Sequence, residues 1–152
     1  EFSKLKSGYY EVYKTQSKIF TKVYDGIKEL ITELKTMGLS INVLSNKPHV
    51  QTIDVIDYYF PKNTFNLVYG KKEEFLAKPA PDSALDIINK LNVKPTEVIY
   101  VGDTETDMFT AINSNFYSVG CLWGFRKKEE LINAGADVLV EKPEEILKLI
   151  EE

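Results

Sequence analysis

Val98-Ile99-Tyr100-Val101-Gly102-Asp103-Thr104-Glu105-Thr106-Asp107 joins two different periodicities. Val98 to Val101 is an unbroken apolar run of the kind that forms a parallel strand covered on both faces. Met108-Phe109-Thr110-Ala111-Ile112, just downstream, has helical spacing. The carboxylates of Asp103 and Asp107 are four residues apart at the carboxyl end of the predicted strand, where open α/β sheets hold their ligands. With a helix beginning near Thr104, Asp107 lies about one turn above the strand end and can face the same cleft as Asp103. Hard oxygen ligands in such a cleft suit Mg²⁺, which takes one or two carboxylates, waters and substrate phosphate oxygens. The plainer alternative makes Asp103 a helix N-cap and Asp107 a solvated surface residue.

The 152 residues are enough for one domain. A formal net charge of −4 argues against a nucleic-acid footprint, and Lys and Glu are interspersed as on a solvated surface. The lone cysteine, Cys121, excludes an internal disulfide framework and fits a reducing cytosol, so a cytoplasmic location is expected. Its apolar surroundings make it a small core residue rather than a nucleophile. No apolar stretch approaches the roughly 20 residues of a membrane span, and no signal peptide is visible. The first residue is Glu1 rather than Met, so the chain is expected to be processed or cut from a longer one.

Working outward, strands and helices alternate. Ser3 to Phe20 carries Tyr9, Tyr10, Tyr13 and Phe20 at helical spacing, rings that suit packing rather than a ligand box. Ile27, Leu30, Ile31, Leu34 and Met37 mark an amphipathic helix over Tyr24 to Met37, with Gly38 as its C-cap. Strands are predicted at Ile41 to Leu44, Phe65 to Tyr69, Glu97 to Val101, Phe116 to Val119 and Asp137 to Val140. Further helices are predicted at His49 to Tyr59, Pro81 to Leu91, Lys127 to Asn133 and Glu144 to Ile150. This alternation implies a Rossmann-like parallel sheet with right-handed crossovers and flanking helices.

Two more positions carry chemistry. Ser45 ends an apolar strand; its hydroxyl and the following N–H groups, at a turn into a helix, form an anion site, or else Ser45 simply caps that helix. Lys78 sits in Ala77-Lys78-Pro79-Ala80-Pro81, where two prolines stiffen the loop around one ammonium. A rigidly held point charge suits a phosphate and balances carboxylates; the alternative is an exposed lysine in a turn.

Strand–Ser45, then Lys78-Pro79-Ala80-Pro81, then strand–Gly102-Asp103 with Asp107 resemble, in that order, motifs two, three and four of the haloacid dehalogenase superfamily of phosphotransferases. Thr21-Lys22-Val23-Tyr24-Asp25-Gly26-Ile27, Leu44-Ser45-Asn46-Lys47-Pro48, Leu122-Trp123-Gly124-Phe125-Arg126 and Ala134-Gly135-Ala136-Asp137 are similar to its phosphoglycolate phosphatase-like branch. The resemblance implies that Ser45 and the N–H of Asn46 would bind the transferred phosphoryl group. Lys78 would neutralise phosphate charge and orient the nucleophile. Asp103 would ligate Mg²⁺, and Asp107 would support the metal's waters or pair with Lys78. His49, Lys47, Trp123, Phe125 and Arg126 neighbour these positions. His49 suits an exposed helix start, Trp123 and Phe125 suit core or cap-facing packing, Arg126 suits the surface, and Lys47 fits either cleft or solvent.

Family members use an aspartate nucleophile in an Asp-x-Asp-Gly-Thr motif on the central strand of the sheet. Asp25-Gly26 is the only Asp-Gly pair here, and it lacks the paired upstream Asp. The expectation is therefore an α/β core over residues 21–152 that lacks its first central strand, preceded at 1–20 by a remnant of a helical cap. The remaining strands would close up, swap with another copy, or receive a complementing N-terminal segment. The implied function is Mg²⁺-dependent hydrolysis of small phosphorylated metabolites, with no nucleic-acid or membrane partner. This chain alone would be inactive without the nucleophilic Asp. The alternatives are a non-catalytic phosphate- and metal-binding remnant or regulatory module, or, among enzymes, a sugar-phosphate phosphatase or phosphomutase. A metal-free dehalogenase does not need the Asp103/Asp107 pair.

Overall fold

The computed structural model describes residues 21–151. The predicted aromatic helix and cap remnant at 1–20 lie outside the described residues. Gly26, at φ 81°, turns the chain into α1 (Ile27–Thr36), which buries Leu30 and lays Leu34 against the core. The chain then runs through β1 (Asn42–Pro48), α2 (His49–Tyr59), β2 (Leu67–Lys71), α3 (Asp82–Leu91), β3 (Ile99–Gly102) and α4 (Glu105–Ser114). It finishes with β4 (Tyr117–Cys121), α5 (Lys128–Asn133), β5 (Val138–Val140) and α6 (Glu145–Glu151).

Every strand pairing is parallel, as the alternation of elements requires. The strands form two sheets, β1–β2 and β3–β4–β5. Among the described residues β1 and β3 are not hydrogen-bonded to each other. The two sheets are joined by packing instead. Ala84 and Ile88 of α3 pack with Ala111 of α4 and Phe116, and Leu44 of β1 and Tyr100 of β3 both lie against that cluster. On the other face, Leu30, Val119, Cys121, Val140 and Ile146 form a second core that Ile99 and Trp123 join. Cys121 is buried there, as its apolar context predicts. Among the described residues no helix is long and apolar enough to cross a membrane.

Element boundaries moved where side chains compete with the ladder. β2 starts at Leu67 rather than Phe65: the Phe65 ring stacks edge-on against Phe60 at 5.2 Å, and Asn66 exchanges hydrogen bonds with Ile41 instead. Pro95–Glu97 forms a 3₁₀ turn ahead of β3, with Glu97 Oε2 accepting from Lys94 N at 2.7 Å. β1 continues past Ser45 to Pro48, and its register with β2 slips between Leu44 and Pro48. Ser45 therefore sits in a bulged strand rather than at the turn expected from its sequence.

β4 and β5 are locked by one side chain. Asp137 Oδ2 accepts from Ser118 N at 2.7 Å and Ser118 Oγ at 2.6 Å, while Asp137 N donates to Ser118 O. These donors hold the Asp137 carboxyl below its usual range. A depressed carboxylate stabilises the fold above its ordinary value and loses that contribution as pH falls through the folded value. Asp137→Ala is expected to cost about 1 kcal/mol at pH 7, discounted for exposure, and progressively less as pH falls through the depressed folded value. Urea unfolding of both forms across that pH range checks it; a deficit that persists unchanged in acid would contradict the assignment.

Candidate functional site

The loop before α3 touches both β1 and β3. Lys78, in that loop, reaches both. Its Nζ donates to Leu44 O of β1 at 3.3 Å, to the Tyr100 hydroxyl of β3 at 3.2 Å and to Asp107 Oδ1 of α4 at 2.6 Å. All three ammonium hydrogens are thus engaged. The Lys78 and Asp107 side chains are only 11% and 10% exposed, so this is a desolvated ion pair. Burial lowers the Lys78 pKa, but Tyr100, Asp107 and their hydrogen bonds outweigh it and hold the amine above its ordinary value. Burial also raises the Tyr100 phenol.

Asp107 is buried rather than solvated because it closes the N-terminus of α4. Thr104, not Asp103, is the N-cap. Asp107 Oδ2 accepts from Thr104 N at 3.1 Å and Thr104 Oγ1 at 2.7 Å, and Thr104 Oγ1 accepts from Asp107 N at 3.3 Å. Gly102 makes this approach possible: a Cβ there would stand 2.2 Å from Asp107 Cβ. Both Asp107 oxygens are occupied, one by Lys78 and one by Thr104.

Asp103 is held from the other side. Its Oδ2 accepts from Phe125 N at 2.9 Å, and a Cβ on Gly124 would lie 2.2 Å from Asp103 Cβ, so only glycine lets the β4–α5 loop close over this carboxylate. Among the described residues no group donates a hydrogen bond to Asp103 Oδ1. Ser45 Oγ, in the bulged stretch of β1, accepts from Lys47 N at 3.1 Å. Asn46 does more than its backbone suggests. Its side chain grips the Lys78 backbone twice, donating to Lys78 O at 3.0 Å and accepting from Lys78 N at 2.9 Å. Asn113 Nδ2 ties down Pro79 O at 2.9 Å.

Asn46, Lys78 and Asp107, separated by up to 61 positions in sequence, are thus brought into direct contact; Ser45 adjoins Asn46, and Asp103 follows β3. The clamp by the Asn46 side chain, the Tyr100 hydroxyl and the Gly124-Phe125 clasp were not legible as site features. A single asparagine beside Ser45, a strand tyrosine and a Trp-Gly-Phe loop carry no spacing rule that points at a lysine or an aspartate. Of the neighbouring residues, Trp123 packs on the core, but Phe125 is 85% exposed and is not a core residue. His49 accepts from Gly70 N at 3.2 Å and meets Tyr69 edge-on, so it fastens α2 to β2. Arg126 pairs with Glu130 at the surface. Burial, then the Asp103 and Asp107 charges, push the Cys121 thiol up to about 12, which keeps it an inert core residue beside the site.

A hard cation fits this donor set in a limited way. Asp103 offers one carboxylate oxygen, Asp107 is satisfied by protein, and among the described residues no group of three or more His, Cys, Asp or Glu could enclose a metal. That suits Mg²⁺, which keeps several waters, better than an ion that needs an all-protein cage.

The model of the haloacid dehalogenase-like hydrolases matches residues 1–121. The phosphoglycolate phosphatase of Pectobacterium atrosepticum is 27% identical over 124 residues, which cover 82% of this chain and 53% of that protein. The Aquifex aeolicus phosphoglycolate phosphatase is 26% identical, over 97% of this chain and 70% of its own length. Among solved structures, a phosphoglycolate phosphatase candidate from Lactobacillus delbrueckii subsp. bulgaricus superposes with a TM-score of 0.87 at 32% identity, over 92% of this chain and 58% of that one. The chain thus spans between about half and 70% of the lengths of these relatives.

Removing one member of a buried ion pair strands the other charge. Lys78→Met is expected to lower stability by about 3 kcal/mol, and Lys78→Met with Asp107→Asn to recover at least half of that loss while keeping the α4 cap. Chemical denaturation of the four forms measures the cycle; a single variant as stable as the parent chain would refute the pairing.

Proposed function

We propose, for a chain that belongs to the haloacid dehalogenase-like hydrolases, that this site serves Mg²⁺-dependent hydrolysis of small phosphate monoesters of the phosphoglycolate type. The observation that carries the reading is the Lys78 ammonium, fixed by Leu44 O of β1, the Tyr100 hydroxyl of β3 and Asp107 of α4. Phosphoryl transfer asks the protein mainly for positioning and for charge stabilisation, and a desolvated, multiply anchored cation supplies both.

In this reading Ser45 Oγ and the Asn46 N–H hydrogen-bond the phosphoryl oxygens. Lys78 meets one of them by exchanging its longest hydrogen bond, the 3.3 Å contact to Leu44 O. Asp107 keeps Lys78 charged and aimed. Asp103 holds the metal with its free oxygen, its other oxygen being fixed by Phe125 N. Bound Mg²⁺ would supply electrostatic relief of the charge on phosphate. The names of the curated relatives support the substrate class.

Residues 1–152 by themselves are proposed to bind rather than turn over. Asp25-Gly26 is their only Asp-Gly pair and belongs to the entry of α1, where Gly26 takes a left-handed conformation. Both Asp107 oxygens are taken by Lys78 and Thr104, and Asp103 is given to the metal in this reading, which supports binding without an attacking carboxylate. With Mg²⁺ and p-nitrophenyl phosphate the chain is expected to release no p-nitrophenol above the buffer rate. Inorganic phosphate with Mg²⁺ should bind in calorimetry, and Ser45→Ala should weaken that binding roughly tenfold through loss of one charge-assisted hydrogen bond. Turnover abolished by Asp103→Asn would overturn the inactivity, and failure to bind phosphate would overturn the site.

A further inference from the structure

The loop that carries Lys78 runs between β2 and α3 and joins no ladder, and its Pro79 and Pro81 have no N–H to donate. Its remaining backbone groups still need partners. Ala80 N donates to Ala77 O at 3.0 Å, and Pro81 O accepts from Leu85 N at 2.9 Å in the first turn of α3. The groups between them are met by two asparagine side chains. Asn46 of β1 accepts from Lys78 N at 2.9 Å and donates to Lys78 O at 3.0 Å. Asn113 of α4 donates to Pro79 O at 2.9 Å.

A carboxamide presents a donor and an acceptor side by side on one planar group, which is what the N–H and C=O of a single residue require. Those two groups also fix which way round the Asn46 amide sits, oxygen toward Lys78 N and nitrogen toward Lys78 O. The two asparagines reach the loop from different parts of the fold. β1 is paired with β2, whereas α4 connects β3 to β4 in the other sheet. Both residues are exposed. Neither fills the core, so truncating either one opens no cavity.

What they hold is the root of the Lys78 side chain. Its tip is shared among Asp107 Oδ1 at 2.6 Å, the Tyr100 hydroxyl at 3.2 Å and Leu44 O at 3.3 Å. An ammonium on a flexible stem keeps three such partners only while its backbone stays in place. We infer that Asn46 and Asn113 are positioning residues that clasp the Lys78–Pro79 backbone from two sides, so that the ammonium is already aimed when a phosphoryl group arrives. The inference rests on the phosphatase reading and adds to it what sets Lys78. A bound anion then takes the place of Leu44 O by rotation of the side chain, with no loop left to order. Asn46 has two roles in this scheme: its N–H meets the anion and its side chain holds the backbone of the cation.

Asn113→Ala is the deciding variant, because Asn113 touches neither the anion nor the ammonium. Two measurements are made on the full 152-residue chain. Calorimetry with inorganic phosphate and Mg²⁺ reads affinity, and NMR of the lysine ammonium groups reads hydrogen exchange at Lys78. Asn113→Ala is expected to weaken phosphate binding about fivefold. It should also speed exchange of the Lys78 ammonium hydrogens at least about threefold while the thermal midpoint stays unchanged. Asn46→Ala should act in the same direction and more strongly, since two hydrogen bonds are lost. Parent-like affinity and exchange in Asn113→Ala, from a parent that does bind phosphate, would overturn the clasp alone. So would an affinity loss that follows a lowered thermal midpoint with ammonium exchange unchanged, the mark of a merely structural contact. A parent chain that binds no phosphate would overturn the phosphatase reading and this role with it.

Discussion

One buried cation organises this molecule. Lys78 belongs to neither sheet, yet its ammonium spends its three hydrogens on a carbonyl of β1, a phenol of β3 and a carboxylate of α4. An ammonium so far from water is tolerable only when its charge is balanced and its donors are satisfied. Asp107 meets the first condition, and Asp107 is available because Gly102 has no side chain to block it and Thr104 fixes its second oxygen. The strand end, the helix cap and the loop are therefore one electrostatic unit.

That unit matters more here than in a continuous sheet. The ladder hydrogen bonds that normally transmit position from strand to strand stop at β1 and start again at β3. The two halves are registered by α3, whose Ala84 and Ile88 touch residues of both, and by the Lys78 loop clasped by Asn46 and Asn113. The polar groups of the candidate site thus also hold the two sheets in place.

The α/β class and the order of elements were legible because apolar runs of strand length alternate with helical periodicity, and burial enforces both patterns locally. Ser45 and Asp103 could be singled out because each follows an apolar run, Lys78 because two prolines flank it, and Asp107 because it lies four residues beyond Asp103. Boundaries were less legible: nothing local says that Phe65 prefers the Phe60 ring to a ladder position, or that β1 runs on through Asn46 and Lys47 to Pro48.

By itself the amino-acid sequence determined the parallel architecture, the resemblance to a phosphotransferase family and the absence of an Asp-x-Asp-Gly-Thr motif within these 152 residues. Only the tertiary structure decided that Asp107 is a buried partner of Lys78 while Asp103 keeps an oxygen free. Spacing puts both carboxylates at one strand end, but which oxygens are already used depends on Thr104, Phe125 and Gly124 arriving from different loops. Only the tertiary structure, too, shows that β1 and β3 stay apart. Which strands pair depends on long-range packing, such as that of Leu44 and Tyr100 against the α3–α4 cluster, which local periodicity does not encode.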